Sequence, residues 1–293
     1  MFVGEKVEGE GGPYRQFFSD LAQELQPTKL EQGTSGRLLN LLVPSANQNQ
    51  NEQIGRDRFV LNSQRVSAQD LSLYEFIGIL MGICIRTGAK LGLQLPQLIW
   101  KQFVGQKVSF DDLLEVDQRF VDKIKNLLRY SKKEFDENAN TVTWVTTLAD
   151  DSIFDLTDEG VSGDKRPLKY EDRFEYVRRA LLARLKESQP QCMAIKRGIS
   201  KIIPEALLNM CTFKELETWV CGKKFIDLDL LERHTIYSGK NPSYSAEHPT
   251  IKMFWKMLRL MTKEELKKFI KFCWGQEVIP SNDEEFKRQN VRF

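Results

Sequence analysis

The sequence predicts an α+β fold that is mainly helical and falls into two bodies. Three observations carry this. Apolar residues recur at helical spacing over most of the chain, in runs that open at Ser, Thr or Asp and close at glycine. One β-rich stretch, TVTWVTTL at 141–148 followed by SIFDLTDEG, lies between helical segments and reads as a small β-containing insertion. Residues 238–244, with Gly239, Asn241 and Pro242, interrupt helical pattern on both sides, as a connector does.

The totals fit this reading. The 293 residues are 41% hydrophobic and 29% charged, an ordinary globular composition with room for one large domain or two modest ones. Lys+Arg 43 against Asp+Glu 41 leaves a net charge of +2, which argues against a nucleic-acid binder. Five cysteines without a CxxC, and two histidines, predict no disulfide framework, no metal site and a reducing compartment. No secretory or transit signal opens the chain, and the most apolar run, 76–85, is shorter than the roughly 20 residues a bilayer requires. Cytoplasm is the expected location, with the nucleus as the other compartment.

In chain order, a Gly-rich turn at 9–13 precedes a helix bearing Phe17, Phe18, Leu21 and Leu25. GEGG lacks both a preceding strand and a following GK[ST], so it is no phosphate loop. LLNLLVP and RDRFVLN read as strands, NQNQNEQ as a polar mobile loop, and Arg56 with Arg58 as a solvated turn. Ser67 and Asp70 start a helix that is apolar on most sides and therefore buried, with Cys84 as core filler. Gly78 and Gly82 in it admit a close neighbour, and Gly88 ends it. Pro96 opens a helix carrying Leu98, Ile99 and Phe103. Ser109 with Asp112 starts another. Asp117 starts a further one with the stripe Phe120, Val121, Ile124, Leu127 and Leu128.

Residues 131–140 then read as a polar loop, and Asp150, Asp151, Asp155, Asp158 and Glu159 as a solvated acidic edge without calcium-loop spacing. The next helix groups Phe174, Val177, Leu181 and Leu185 on one face and sets Arg178, Arg179 and Arg184 largely on the other, solvated one. A further helix breaks near Pro204. Thr212 with Glu215 caps a helix ended by Gly222, and Leu228, Leu230 and Leu231 mark a short one. Beyond the connector, a helix from Ser245 or Glu247 buries Ile251, Phe254, Trp255 and Leu258. Thr262 with Glu265 caps the next, Gly275 ends it, and IPSNDEEFKRQNVRF is a polar tail.

No GxSxG, HExxH, Walker loop or dinucleotide fingerprint occurs. Cys221 and His234 are the one Cys/His pair close in sequence, and Cys221 reads as a helix end rather than half of a dyad. Residues alone therefore reach a two-bodied, mainly helical binding protein.

Longer stretches carry a resemblance. GGPYRQFFSDLAQEL, GRDRFVLN, the run FIGILMGICIRTGAKLGLQLPQLIWKQFVG, ELETWVCG, DLLERHTIY and YSAEHPTIKMFWKML are similar to HECT-type ubiquitin ligases, closest to the large HERC-like members. The resemblance implies a bilobal HECT fold: an N-lobe at 1–237 with a conjugating-enzyme-binding subdomain near 131–190, a hinge at 238–244, and the start of an incomplete C-lobe at 245–293. It implies a parent protein that takes ubiquitin as a cysteine thioester and transfers it to a substrate lysine, through a thiolate nucleophile and a deprotonated amine. The family holds that cysteine in an LPxxxTCF-like motif. The motif is missing here, so no catalytic residue is assigned and the fragment is expected to be inactive alone. Phe120, Ile124, Leu127 and Tyr130 match the family's groove helix, and Val142 and Trp144 its strand, while 131–140 departs from the pattern. Tyr237, Ser238, Gly239 and Asn241 match a hinge able to absorb a lobe rotation. The implied partners are a ubiquitin-conjugating enzyme (E2), ubiquitin and protein substrates, with no nucleic acid, membrane, metal or cofactor. The alternative is a non-catalytic protein-interaction module with the same fold.

Overall fold

The structure is a computed structural model and describes residues 12–26, 39–158, 162–223, 225–237 and 245–289. Its fold is mainly helical α+β. The helices are α1 (Gly12–Leu25), α2 (Ala46–Asn49), α3 (Ala68–Thr87), α4 (Gln97–Phe103), α5 (Gln118–Arg129), α6 (Lys132–Asn138), α7 (Arg173–Lys186), α8 (Gln189–Ser200), α9 (Glu205–Leu208), α10 (Phe213–Cys221), α11 (Leu228–His234), α12 (Pro249–Leu260), α13 (Lys263–Trp274) and α14 (Asp283–Gln289). Two antiparallel pairs accompany them: β1 (Leu42–Pro44) with β2 (Phe59–Leu61), Val43 opposite Val60, and β3 (Val145–Thr147) with β4 (Ile153–Asp155), Thr146 opposite Phe154. Contacts divide the chain into two units, one within 1–24, 80–93 and 214–293, the other within 25–79 and 94–213.

In the second of these units, α3 begins where Ser67 and Asp70 cap each other, as their spacing predicts. Helix α3 is long and apolar enough to cross a membrane by length and composition. It is not buried on all sides as expected: 39% of its apolar window is buried and Phe76 is 53% exposed, while Tyr74 is fully buried with its hydroxyl donating to the Leu41 carbonyl at 2.7 Å. The close neighbour expected at Gly78 is α8. A Cβ on Gly78 would overlap the Ile195 carbonyl oxygen, and one on Gly198 would overlap that of Glu75. The two backbones therefore touch, which only glycine permits.

Two expectations fail in this unit. NQNQNEQ is not a solvated loop at its start. Ser45 caps α2, and Asn47 is fully buried with its amide bonded on both sides. Arg58 is buried rather than solvated: it donates to the Leu95 carbonyl at 3.1 Å and faces Glu115 at 3.6 Å. Polar composition does not distinguish a side chain facing water from one bridging buried carbonyls. The Ser109–Asp112 capping box is present, but it opens a 3₁₀ turn at Phe110–Glu115.

In the other unit, α10 closes at Gly222, whose φ of 80° lies in the left-handed region. Thr262 and Glu265 form the expected capping box of α13, and Gly275 closes that helix at φ 76°. Helix α12 starts at Pro249 with His248 as its cap, not at Ser245 or Glu247. The expected polar tail contains α14, whose Phe286 is buried. One core joins Leu230 and Leu231 of α11 to Trp255, Leu258, Leu266, Ile270, Trp274, Ile279 and Phe286. Helix α11, before the expected hinge, thus packs with the helices after it. Ser238, Gly239 and Asn241 lie outside the described residues. The Tyr237 hydroxyl accepts from Trp255 Nε1 at 2.8 Å.

Candidate docking site

The site expected on α5 and the strand near Trp144 is built from one local core. Asp117 caps α5 by accepting from the Phe120 amide at 2.9 Å, and Asn47 Oδ1 takes the Gln118 amide at 2.7 Å. Val121, Ile124 and Leu127 of the stripe then turn inward, while Leu128 is exposed. Residues 131–140, expected as a loop, contain α6, opened by a Ser131–Glu134 capping box and anchored by buried Phe135. The signal was present as S-x-x-E in SKKE. Phe135, Leu156, Leu168, Tyr176 and Val177 complete the core with residues of α5 and Trp144.

Polar groups fix the strands over it. The Trp144 amide donates to the Gly163 carbonyl at 2.9 Å. A side chain at Gly163 would overlap the Trp144 carbonyl, so glycine is required there. Asp155 accepts from Thr157 Oγ1 at 2.6 Å and from the Gly163 and Thr157 amides at 2.8 Å each. These bonds, the Thr157 hydroxyl foremost, draw its carboxyl down to about 2. The Tyr176 hydroxyl donates to the Val145 carbonyl at 3.0 Å, and burial pushes it up to about 12. Arg184, expected on a solvated face, is fully buried. It reaches the Thr147 carbonyl at 3.2 Å, Asp117 at 3.1 Å and Glu187 at 3.3 Å. Helical spacing puts Arg184 opposite the apolar face, but α5 and β3 cover that face too.

The structure separates the expected site residues into two sets. Ile124, Leu127 and Trp144 are 1%, 2% and 5% exposed, so they are core. This corrects their expected place in an open groove: a segment this short must turn its best apolar stripe on itself to bury anything. Phe120, Tyr130 and Val142 are partly buried and pack on the outside of that core, together with Tyr170. Phe174, grouped by spacing with core residues, is 58% exposed. Arg173 lies 3.8 Å from the Tyr170 ring centre and 4.3 Å from that of Phe174, holding both aromatics. Sequence reasoning missed Tyr170 and Phe174. An apolar stripe shows no difference between a face turned to its own core and one turned to a partner.

Three of the five cysteines offer little nucleophilic chemistry. Cys84 and Cys192 are buried, and desolvation pushes both thiols up. Cys273, in α13, is exposed and also raised by desolvation. A raised pKa leaves less of the reactive thiolate.

A family model described as HECT-domain (ubiquitin-transferase) matches residues 34–289. Similar curated proteins include E3 ubiquitin-protein ligase HERC2 of Mus musculus and of Homo sapiens, each 30% identical over 286 residues, covering 98% of this chain and 6% of that protein. Probable E3 ubiquitin-protein ligase HECTD4 of Homo sapiens is 30% identical over 307 residues, covering 95% of this chain and 7% of that protein. The chain therefore spans a small fraction of the length of these relatives.

Proposed function

The chain belongs to the HECT-domain (ubiquitin-transferase) family, and from that premise we propose that it is the part of a ubiquitin ligase that receives a ubiquitin-charged conjugating enzyme (E2). The observation that carries this is the family match over residues 34–289. The α5–α7 segment is the inserted docking subdomain. Its core of Ile124, Leu127, Phe135 and Trp144 makes it a firm support, and Tyr130, Val142, Tyr170 and Phe174 are the contact residues on its outside. Large aromatics with an apolar body suit a partner's apolar loop.

In the transfer, ubiquitin passes from the conjugating enzyme's thioester to a cysteine thiolate and then to a substrate lysine. Cys84, Cys192 and Cys273 are not assigned the acceptor role, since desolvation raises their thiols and leaves less of the reactive thiolate. This chain's own contribution is to seat the donor.

We assign α11–α14 to the second lobe, because they share one core. With that assignment we place the joint ahead of α11, at Gly222, where the resemblance implies 238–244, a stretch outside the described residues. Gly222, in the left-handed region, is a suitable pivot.

The test is to add conjugating enzymes one at a time to isotopically labelled chain and record NMR spectra. Shifts clustered at Tyr130, Val142, Tyr170 and Phe174 are expected with at least one enzyme. A panel that leaves the α5–α7 resonances of the folded chain in place would remove the docking role.

A further inference from the structure

The α11–α14 core and the residues that hold it to the rest of its unit differ in character. Inside, the core is apolar. Its attachment includes polar contacts that converge on Lys90. Lys90 lies on the segment after α3, which is tied to α10 by the Leu91 amide donating to the Val220 carbonyl at 2.8 Å. The Lys90 side chain is 4% exposed, and its ammonium donates to the Trp219 carbonyl at 3.2 Å and to Glu285, whose side chain is 12% exposed, at 3.2 Å. Gln276, also buried, donates to the Lys90 carbonyl at 2.8 Å and to the Arg15 carbonyl at 3.2 Å. The Arg15 guanidinium lies 3.4 Å over the Trp274 ring.

Helix α14 therefore faces two ways. Phe286 enters the core of the α11–α14 body, while its neighbour Glu285 divides its carboxylate between the Ser281 amide inside that body, at 2.7 Å, and Lys90. Such a joint is suited to release. A buried ion pair gains Coulomb energy but loses hydration on both charges, and the two nearly cancel. When the joint opens, both ions regain water and the apolar core is untouched.

We propose that Lys90, Glu285 and Gln276 form a releasable latch that holds the α11–α14 body in place, and that opening it frees this body to turn as one piece about Gly222. The assignment of that body to a mobile lobe rests on the ubiquitin-transfer reading; the latch itself does not. Latched, the body is held in one position and transfer awaits release. Removing either charge strands the other in a buried site, so single reversals favour the open state. Exchanging the two charges restores the pair.

Hydrogen–deuterium exchange on the 293-residue chain tests this. The variants are Lys90→Glu, Glu285→Lys, the double exchange, and Gln276→Ala as a milder lesion. Each single reversal is expected to raise exchange in residues 276–279 at least about tenfold, with Gln276→Ala intermediate; the Ser281 amide is left out because it bonds Glu285 directly at 2.7 Å. Amides in the middle of α13 and throughout α5–α7 stay at wild-type rates, and the double exchange returns 276–279 most of the way. The latch is overturned if single reversals leave 276–279 unchanged, if exchange rises equally in α13 or α5–α7, or if the double exchange is as open as the singles. The readout needs no ubiquitin, so failure of the latch and failure of the ligase reading appear in separate experiments.

Discussion

Asn47 bridges three backbone groups: its Nδ2 donates to the Ile54 and Leu114 carbonyls at 2.8 and 2.7 Å, and its Oδ1 accepts from the Gln118 amide. Asn47→Ala leaves buried partners unmatched and is expected to lower stability by about 2–4 kcal/mol in urea unfolding; a loss below about 0.5 kcal/mol would mean that water takes over the bonds. Asp155 gives a pH signature. Its folded-state carboxyl lies near 2, below the ordinary unfolded value. The depressed pKa contributes stability above the unfolded value, and that contribution is lost as pH falls through the folded one. The melting-temperature gap between wild type and Asp155→Asn is therefore expected to be open at about pH 6 and closed by about pH 2. At this scale the sequence was least legible. Arg58 and Arg184 read as solvated because a helix face or a polar turn is visible locally, while the carbonyls and carboxylates that receive them arrive from distant residues.

Helix ends, by contrast, were written locally. Ser67 with Asp70, Thr262 with Glu265, Gly222 and Gly275 all act where their spacing places them, because a cap needs only its own first or last turn. The same rule, applied to SKKE, would have found α6. Ser131→Ala is expected to cost about 1 kcal/mol and to loosen Phe135, measured by denaturation and by amide exchange in α6. The α3–α8 crossing gives a sharper outcome. Gly78→Val places a branched side chain against the Ile195 carbonyl, and a loss of about 3 kcal/mol or outright failure to fold is expected. Wild-type melting of this variant would show that the crossing is looser than described. Helix α14 escaped notice because Phe286 is a single apolar residue in a charged run, and its burial depends on α11–α13 being present.

For the whole molecule, the mainly helical α+β class was legible from periodicity, and family membership from long matched stretches. The division of roles within α5–α7 was not. Ile124 and Tyr130 lie on one helix-and-cap run, yet one sits in the core and the other on its outside. That separation allows binding and folding to be tested apart. Ile124→Ala should open a cavity, costing about 2–5 kcal/mol of stability. Tyr130→Ala should leave the fold intact. The central claim is that the outer aromatics of α5–α7 seat a ubiquitin-conjugating enzyme. The most direct measurement is the Kd of this chain for the enzyme that produces NMR shifts, wild type against Tyr130→Ala and Phe174→Ala, with melting temperatures recorded alongside. The account predicts at least about a fivefold loss of affinity in each variant, about 1 kcal/mol, with both variants still folded and melting well above Ile124→Ala. Wild-type affinity in both variants would contradict it and place the contact elsewhere on the chain.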